Sequence, residues 1–361
     1  MLILYITYID FNQSSSGSGV RPQKMYDAFI EEGHEVKLLS GAQGSIRTRG
    51  SRLRAVEETE RWLDGHRPDL CYIESPVYPI MWSSDRRLID RIHRMGIPIG
   101  YFYRDLYRKF PKVFARRRAP VGAAKELVLD RLQEMTDRIL EKVDIVYFPS
   151  EECFPFFSYK DMRALPPGGE DRLEETMPEY RHCIYVGGMK DQYDGECLLR
   201  AFSILNSSDT KYPLTLVCRH NEWNTMDPEL CRGEWLEVHH VSGRALQSLL
   251  SRAGAGILIG RSDHPYSQFA VSVKTYEYMG YGLPMVYIRN TPHDRIISES
   301  GIGIGTDGTP ESLAEGIRTL FASPDIYERY RAAAVRALYA NGLWAHRVRQ
   351  IVRELTEKRA H

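Results

Sequence analysis

Met1-Leu-Ile-Leu-Tyr-Ile-Thr-Tyr-Ile9 is an apolar stretch of strand length, and a polar, glycine-containing loop follows it as far as Arg21. Pro22 suits the first turn of a helix, and Gly33 is placed to end that helix. A second strand-like stretch, His34-Glu-Val-Lys-Leu-Leu39, comes next. This order of strand, loop, helix and strand predicts a right-handed unit with two parallel strands.

The same alternation recurs along the chain. Apolar stretches at 70–73, 97–102 and 145–148 each follow a segment with helical periodicity, and the pattern resumes at 183–186. Residues 163–182 interrupt it, because they are rich in proline, glycine and charge. Repeated strand and helix alternation predicts an α/β protein with doubly wound, Rossmann-like domains and parallel sheets.

The length of the chain predicts two domains, since 361 residues exceed a typical single core. We predict an N-terminal domain over residues 1–165, a linker over 166–182 and a C-terminal domain over 183–340. Residues 341–361 are predicted to form a C-terminal helix, with the N-terminal domain as its candidate packing partner.

Composition narrows the class of protein. The 48 basic and 48 acidic residues balance, which argues against wholesale nucleic-acid binding. The six cysteines are scattered without a C-x-x-C pair, which favours buried free thiols over a metal site. No apolar run approaches the roughly 20 residues that span a bilayer. We therefore expect a cytoplasmic protein that requires no metal or other cofactor.

The most informative motif is Ser272-Val-Lys-Thr-Tyr-Glu-Tyr-Met-Gly-Tyr-Gly-Leu-Pro284, which predicts a short helix leading into a buried strand. Lys274 and Glu277 are three residues apart, so they share one face near the helix N-terminus. Free amides and the helix dipole at that end suit a phosphate. Lys274 is a candidate for phosphates and Glu277 for a pair of hydroxyls, and a nucleotide sugar has both. The alternative for Glu277 is an ordinary exposed helix carboxylate.

Two further groups of residues follow predicted strands and are expected at the carboxyl edge of a sheet, where such sheets bind ligands. Gly17 and Gly19 form either a ligand-facing loop or a flexible turn, and Arg21 is either a solvated cation or a phosphate contact. Arg104 and Asp105 lie among aromatic residues, a setting that suits a sugar. The alternative for this pair is a local salt bridge that contributes little to the stability of the fold.

A basic stretch lies between Arg86 and Arg118, with eleven Lys or Arg against two acids and interleaved aromatic residues. An anionic membrane surface suits this composition better than nucleic acid, and a solvated arginine face is the alternative. The residues predicted to form a membrane or acceptor patch are Arg108, Lys109, Lys112, Arg116, Arg117 and Arg118.

The chain resembles the GT-B fold of nucleotide-sugar glycosyltransferases, and in particular the retaining family 4 group. The resemblance is carried by Gly17-Ser-Gly19, Leu165-Pro-Pro-Gly-Gly169, Tyr185-Val-Gly-Gly188 and Lys274 to Pro284. It implies that the second domain binds a nucleoside diphosphate sugar, that Glu277 holds the ribose hydroxyls, and that the first domain binds a glycan, lipid-linked or other small hydroxyl acceptor. The donor-binding residues predicted in this way are Gly17, Gly19, Arg219, Ser272, Lys274, Tyr276 and Glu277. Asp105 and Arg104 are the catalytic candidates.

Two departures from that family affect the donor site. Phe269 stands where the family often has a second glutamate, and Gly188 stands in the stretch where it often has an arginine. The positive charge for a diphosphate must then come from other residues after the strands, and we favour Arg219 and Lys274 over Lys190 and Arg261.

Three other functions remain as alternatives. The departures at Phe269 and Gly188 suit a non-catalytic GT-B subunit that binds glycan or supports a partner transferase. A nucleotide-sugar epimerase can use the same fold without an acceptor. A dinucleotide oxidoreductase is disfavoured, because Pro22 occupies the position of the third glycine in that fingerprint.

Overall fold

The structure is a computed structural model that describes residues 1–11, 17–43, 46–77, 79–106, 109, 120–190, 192–261 and 263–359. The chain forms two compact units. One contains Met1–Pro166 together with Trp344–His361, and the other contains Pro167–Leu343. Each unit has a six-stranded parallel sheet with flanking helices, so the predicted α/β fold class is confirmed.

Short strands form the two sheets. They are β1 (Leu2–Thr7), β2 (Glu35–Leu39), β3 (Leu70–Glu74), β4 (Ile99–Phe102), β5 (Ile145–Phe148), β6 (Met162–Ala164), β7 (Cys183–Val186), β8 (Leu214–Val217), β9 (Leu236–His239), β10 (Ala255–Leu258), β11 (Met285–Ile288) and β12 (Gly303–Thr306). Their orders are β2-β1-β3-β4-β5-β6 in the first unit and β12-β11-β10-β7-β8-β9 in the second. Most central strands are buried along their whole length, as parallel strands covered on both faces must be.

The helices cover these sheets. They are α1 (Gly17–Glu31), α2 (Ile46–Gly65), α3 (Ser83–Arg94), α4 (Pro120–Leu140), α5 (Gly195–Leu205), α6 (His220–Trp223), α7 (Arg244–Arg252), α8 (Val273–Gly280), α9 (Pro310–Leu320), α10 (Pro324–Ala337) and α11 (Trp344–Arg359). Shorter helical turns occupy Glu151–Phe156, Leu173–Glu175, Pro265–Gln268, Thr291–His293, Asp294–Ser298 and Leu338–Gly342.

Helix α11 belongs to the first unit, although it follows the second unit in sequence. Its buried apolar residues Trp344, Val348, Ile351 and Leu355 recur at helical spacing and join the core that contains β1. Gly100 allows this packing, since a Cβ there would crowd the Leu355 and Tyr147 side chains. The core of the first unit is therefore completed by the last helix of the chain.

The segment after β6 is locked onto helix α8 within the second unit. A Cβ atom on Gly169 would lie within 3.0 Å of the main-chain oxygen of Tyr276, and one on Gly280 equally close to that of Glu170. The Arg172 amide also donates to the Gly280 carbonyl at 2.9 Å. Of residues 166–182, which we predicted as a linker, 167–182 lie in the second unit, and the backbone around 169–172 lies against α8.

Replacement of Gly280 by alanine tests this close approach. We expect Gly280→Ala to lower the free energy of unfolding of the second unit by about 2 kcal/mol or more, because the backbone must move apart to admit the methyl group. Urea denaturation measures the change. Gly65→Ala is the matched control, since a Cβ there meets no atom within 4 Å. Equal stability of the two variants would contradict the tight backbone contact.

Candidate functional site

The second sheet reverses its strand order between β7 and β10, and the carboxyl ends of these strands form the crevice where open α/β sheets bind ligands. Their pairing ends at Tyr185 and Ile257. The next amide, that of Val186, donates to the Tyr278 hydroxyl at 3.1 Å, and this hydroxyl in turn donates to the Ile257 carbonyl at 3.4 Å. Tyr278 therefore holds helix α8 against both strands at the point where they diverge.

The close packing of the Tyr278 ring against the sheet depends on a glycine in β10. A Cβ on Gly256 would overlap the Tyr278 ring, so the ring can lie against the sheet only there. Burial raises the pKa of the Tyr278 hydroxyl, which keeps it protonated and able to donate. The position of α8 relative to the crevice is thus fixed by packing and by hydrogen bonds together.

The N-terminus of α8 is capped by Ser272, near which the motif predicts the helix to start. Its Oγ accepts the Lys274 amide at 3.2 Å. The main-chain amide of Ser272 donates to Nε2 of His293 at 3.3 Å, and Oγ1 of Thr275 lies 3.4 Å from the same nitrogen. The start of α8 is therefore anchored from the segment that follows β11.

His293 was not found by sequence analysis. It is 7% exposed, and burial lowers its pKa to about 4, so its imidazole is neutral near pH 7 and Nε2 can accept a hydrogen bond. Its own amide donates to Oδ1 of Asn290 at 2.9 Å. The only sequence signal is the spacing of Asn290 and His293 directly after a strand, and that spacing has no meaning until the fold brings Ser272 beside them.

Lys274 and Glu277 contact each other across one turn of α8. Their side chains are 27% and 30% exposed. The structure therefore confirms that they share a helical face, and it adds that the ammonium and the carboxylate form a half-buried ion pair. The sequence prediction that each contacts a different part of one ligand stays a prediction.

Two other cations of the second unit also have an acid as a near neighbour in sequence. Arg219 pairs with Glu222, and its side chain is 73% exposed. Arg261 makes a bidentate pair with Asp263 at 3.0 and 2.8 Å and so lowers the pKa of that carboxyl. A cavity of about 180 Å³ opens beside the second pair. Its lining residues are Asp194, Gly260, Arg261, Asp263 and Gly308.

The residues that depart from the family pattern are accounted for by packing. A Cβ on Gly188 would lie 2.5 Å from the Tyr193 ring and 3.3 Å from the Glu222 carboxylate, so no arginine fits there without rearrangement. Phe269 is 2% exposed. Tyr276, one of the predicted donor-binding residues, is 4% exposed, and its side chain packs in the apolar core.

In the first unit, Arg104 and Asp105 form an ion pair directly after β4, with Nε and Oδ2 3.0 Å apart. The Arg104 amide also donates to Oγ of Ser75 at 3.1 Å. The side chains are 14% and 10% exposed. The local salt bridge that sequence analysis left as an alternative is thus present, and a catalytic role for either residue stays a prediction.

Arg21 lies in the interior of the first unit and is not a solvated cation. Its Nε donates to Oε1 of Glu74 at 3.1 Å, and its guanidinium lies 3.6 Å from the centre of the Phe102 ring. One terminal nitrogen donates to the Pro166 carbonyl at 3.2 Å. Arg21 therefore joins α1 to the end of β3. The prediction of a loop or turn at Gly17 and Gly19 was wrong, because both residues lie in the first turn of α1.

Much of the predicted membrane or acceptor patch falls outside the described residues, namely Arg108, Lys112, Arg116, Arg117 and Arg118. Lys109 is described and exposed, and its Nζ lies 4.6 Å from the centre of the Phe157 ring. Among the described helices, none combines the length and the apolar character required to cross a bilayer.

The cysteines are unpaired, and all but the half-buried Cys231 are buried, which agrees with the prediction of free thiols. Within the part of the chain that the structure describes, no three His, Cys, Asp or Glu residues are grouped so that they could hold a metal ion.

Comparison with known proteins agrees with this geometry. Residues 200–353 match the family model described as Glycosyl transferase-like, over less than half of the chain. A search of curated proteins found no match. A solved glycosyltransferase from Rickettsia africae ESF-5 is similar at TM-score 0.69 and 12% identity, over 99% of this chain and 98% of that one.

Two other solved structures show the same likeness over full length. Sucrose-phosphate synthase from Thermosynechococcus elongatus gives a TM-score of 0.67 at 12% identity, with 100% of both chains covered. An alpha-glucosyltransferase in complex with UDP gives 0.64 at 14%, over 99% of this chain and 100% of that one. The chain therefore has the GT-B fold, and the family match together with this fold supports a glycosyltransferase.

The anchor at His293 predicts an acid-sensitive second unit. Because the pKa of His293 in the folded protein, about 4, is below its unfolded value, the unfolded chain binds more protons and stability falls as the pH drops below about 6.5. This one group should remove about 2 kcal/mol of unfolding free energy between about pH 7 and pH 5.

His293→Gln keeps an acceptor for the Ser272 amide but cannot be protonated, so it should lose about 2 kcal/mol less over that range. Chemical denaturation at both pH values measures the difference. His66→Gln, at an exposed histidine of the first unit, is the control and should keep the wild-type pH dependence. An unchanged pH slope in His293→Gln would contradict the buried neutral state.

Proposed function

We propose that the chain transfers a sugar from a nucleoside diphosphate sugar to an acceptor hydroxyl with retention of anomeric configuration. The observation that carries the proposal is the Lys274 and Glu277 pair at the capped N-terminus of α8, which Tyr278 ties to the crevice of the second sheet. A cation, a carboxylate and a helix N-terminus at one point provide for both a diphosphate and a diol.

Donor binding replaces the contact between Lys274 and Glu277. The diphosphate takes the ammonium together with the helix N-terminus that Ser272 caps, and the ribose hydroxyls take the carboxylate. The exchange costs little, because an ion pair this close to solvent contributes at most about 1 kcal/mol. The complex of an alpha-glucosyltransferase of this fold with UDP supports uridine diphosphate sugars as the first donors to test.

The diphosphate also needs charge beyond Lys274, because its own negative charge exceeds one. Arg219 supplies this, since its side chain is 73% exposed and its partner Glu222 already accepts the Met189 amide at 2.8 Å. A guanidinium that exchanges a carboxylate for phosphate oxygens keeps its hydrogen bonds. Such cations stabilise the leaving diphosphate, which is the electrostatic contribution that the transfer requires.

The acceptor belongs to the first unit in this proposal, with Asp105 to bind its hydroxyls. Asp105 is held by Arg104, so its carboxylate has a fixed direction at the end of β4. The donor phosphate takes the proton of the acceptor hydroxyl, and no metal ion is required. Gly17 and Gly19, in the first turn of α1, are the proposed phosphate-facing residues of this unit, because the free amides of a helix lie at its N-terminus.

A thermal-shift panel of nucleoside diphosphate sugars tests donor binding. We expect the matching sugar nucleotide to raise the melting temperature through its binding to the native state, and Glu277→Gln and Lys274→Met to lose most of that shift. Glu229→Gln is the matched control, because Glu229 forms an i,i+3 pair with Arg232 in the same unit but on an exposed surface.

The outcomes separate the proposed function from its rivals. No shift with any nucleoside diphosphate sugar overturns the donor site. A shift without sugar transfer or donor hydrolysis favours the non-catalytic subunit, for which the buried Phe269 is the structural argument. A donor sugar that changes configuration without an acceptor identifies an epimerase.

A further inference from the structure

We propose that helix α4 docks on an anionic membrane surface through an exposed apolar face, defined by Val128, Leu132, Met135 and Ile139. The docking stands on the exposure of this helix and on the charges that accompany it, whereas the corollary that the acceptor is borne by a lipid rests on the proposed function. The α4 face, as we call these four residues, lies in the first unit.

The four residues follow one another at spacings of four, three and four, so they form one stripe along the helix. Val128 is 58% exposed and Met135 44%, while Leu132 and Ile139 are half-buried. Leu127 is 63% exposed, but at helical spacing it lies beyond Arg131 and Arg138 and outside the stripe. An exposed apolar stripe of three turns on one helix is uncommon for a surface that meets only water.

The α4 face is separate from the side on which the helix packs. The buried side of the helix packs on the first unit and contains Leu129, Thr136 and Leu140. Oγ1 of Thr136 also accepts a hydrogen bond from the Ile80 amide at 3.0 Å. The exposed stripe is therefore additional to the core contact, and the helix stays in place when the stripe changes.

Basic residues border the apolar face of α4 and acidic residues lie on the opposite side, an arrangement that suits a helix lying on a membrane surface. At helical spacing, Arg131 and Arg138 border one edge of the α4 face and Lys125 borders the other. The acids lie on the far side of the helix and make local contacts, such as that of Glu134 with Arg131 at 2.9 Å. The acids on this far side are Glu126, Asp130, Glu134 and Asp137.

The sequence before α4 adds charge of the same sign. Residues 106–119 contain six Lys or Arg and no acid, with aromatic residues among them. A second copy of the chain would bring the same cations, Arg131, Arg138 and Lys125, against those that border this face, and like charges repel. An anionic bilayer attracts these bordering cations and accepts the apolar stripe below its headgroups. Charge complementarity therefore selects the membrane as the occupant of the α4 face.

Vesicle co-sedimentation tests the docking. We expect the full chain to bind phosphatidylcholine vesicles that contain phosphatidylglycerol, and to bind vesicles of phosphatidylcholine alone at least about tenfold more weakly. Met135→Gln together with Val128→Gln should weaken binding to the anionic vesicles by about tenfold or more, since both apolar side chains are lost from the interface.

A matched control is offered by Met177, which is 77% exposed in the second unit. Met177→Gln makes the same chemical change as Met135→Gln and should leave vesicle binding unchanged. Arg131→Gln with Arg138→Gln should reduce the difference between anionic and neutral vesicles, while binding of a sugar nucleotide in the thermal-shift assay stays at the wild-type level for every one of these variants.

Three results would overturn the proposal. They are no binding to anionic vesicles, equal losses in the Met135→Gln and Met177→Gln variants, or a wild-type dimer that the α4 variants convert to monomer without any change in vesicle binding. The last result would make a second copy the occupant of the face. Vesicle binding without any response to sugar nucleotides would leave the docking intact and remove only the proposed function.

Discussion

The close backbone contact between helix α8 and the segment at Gly169 and Glu170 is the constraint on which the candidate site depends. No side chain separates the two backbones at Gly169 or Gly280, so the axis of α8 is set by main-chain contact. The hydroxyl of Tyr278 then fixes the rotation of the helix against the sheet. With both settled, Lys274 and Glu277 can point in one direction only.

The candidate donor site neutralises its own charge. Lys274, Arg219 and Arg261 each contact an acid two or three residues further along the chain. Such local pairs keep the cations from repelling one another, and they cost little to exchange because they lie near solvent. In the proposed function a diphosphate replaces these carboxylates one at a time, and each displaced carboxylate remains partly exposed to solvent.

Local pattern was enough to predict the fold but not the contacts that join distant segments. The apolar stretch of β1 and the short helix in the motif from Ser272 to Pro284 are decided within a few residues, and both were predicted. Strand β12 (Gly303–Thr306) was missed because glycines lower strand propensity, yet Gly303 is needed there for the close approach of Met285. His293 was missed because the partner of its imidazole lies 21 residues away in sequence.

The two sheets use their points of strand reversal differently. In the first unit Thr7 on β1 is the register partner of Glu74 on β3, and the buried Glu74 and Arg21 fill that point. Burying an ion pair is expensive unless its hydrogen bonds are satisfied, and here Tyr72 and the Pro166 carbonyl help to satisfy them. In the proposed function the acceptor is therefore assigned to the end of β4, where Asp105 lies, rather than to this point. In the second unit the corresponding point is occupied by the uncharged Tyr278 hydroxyl, which is hydrogen-bonded to Val186 and Ile257.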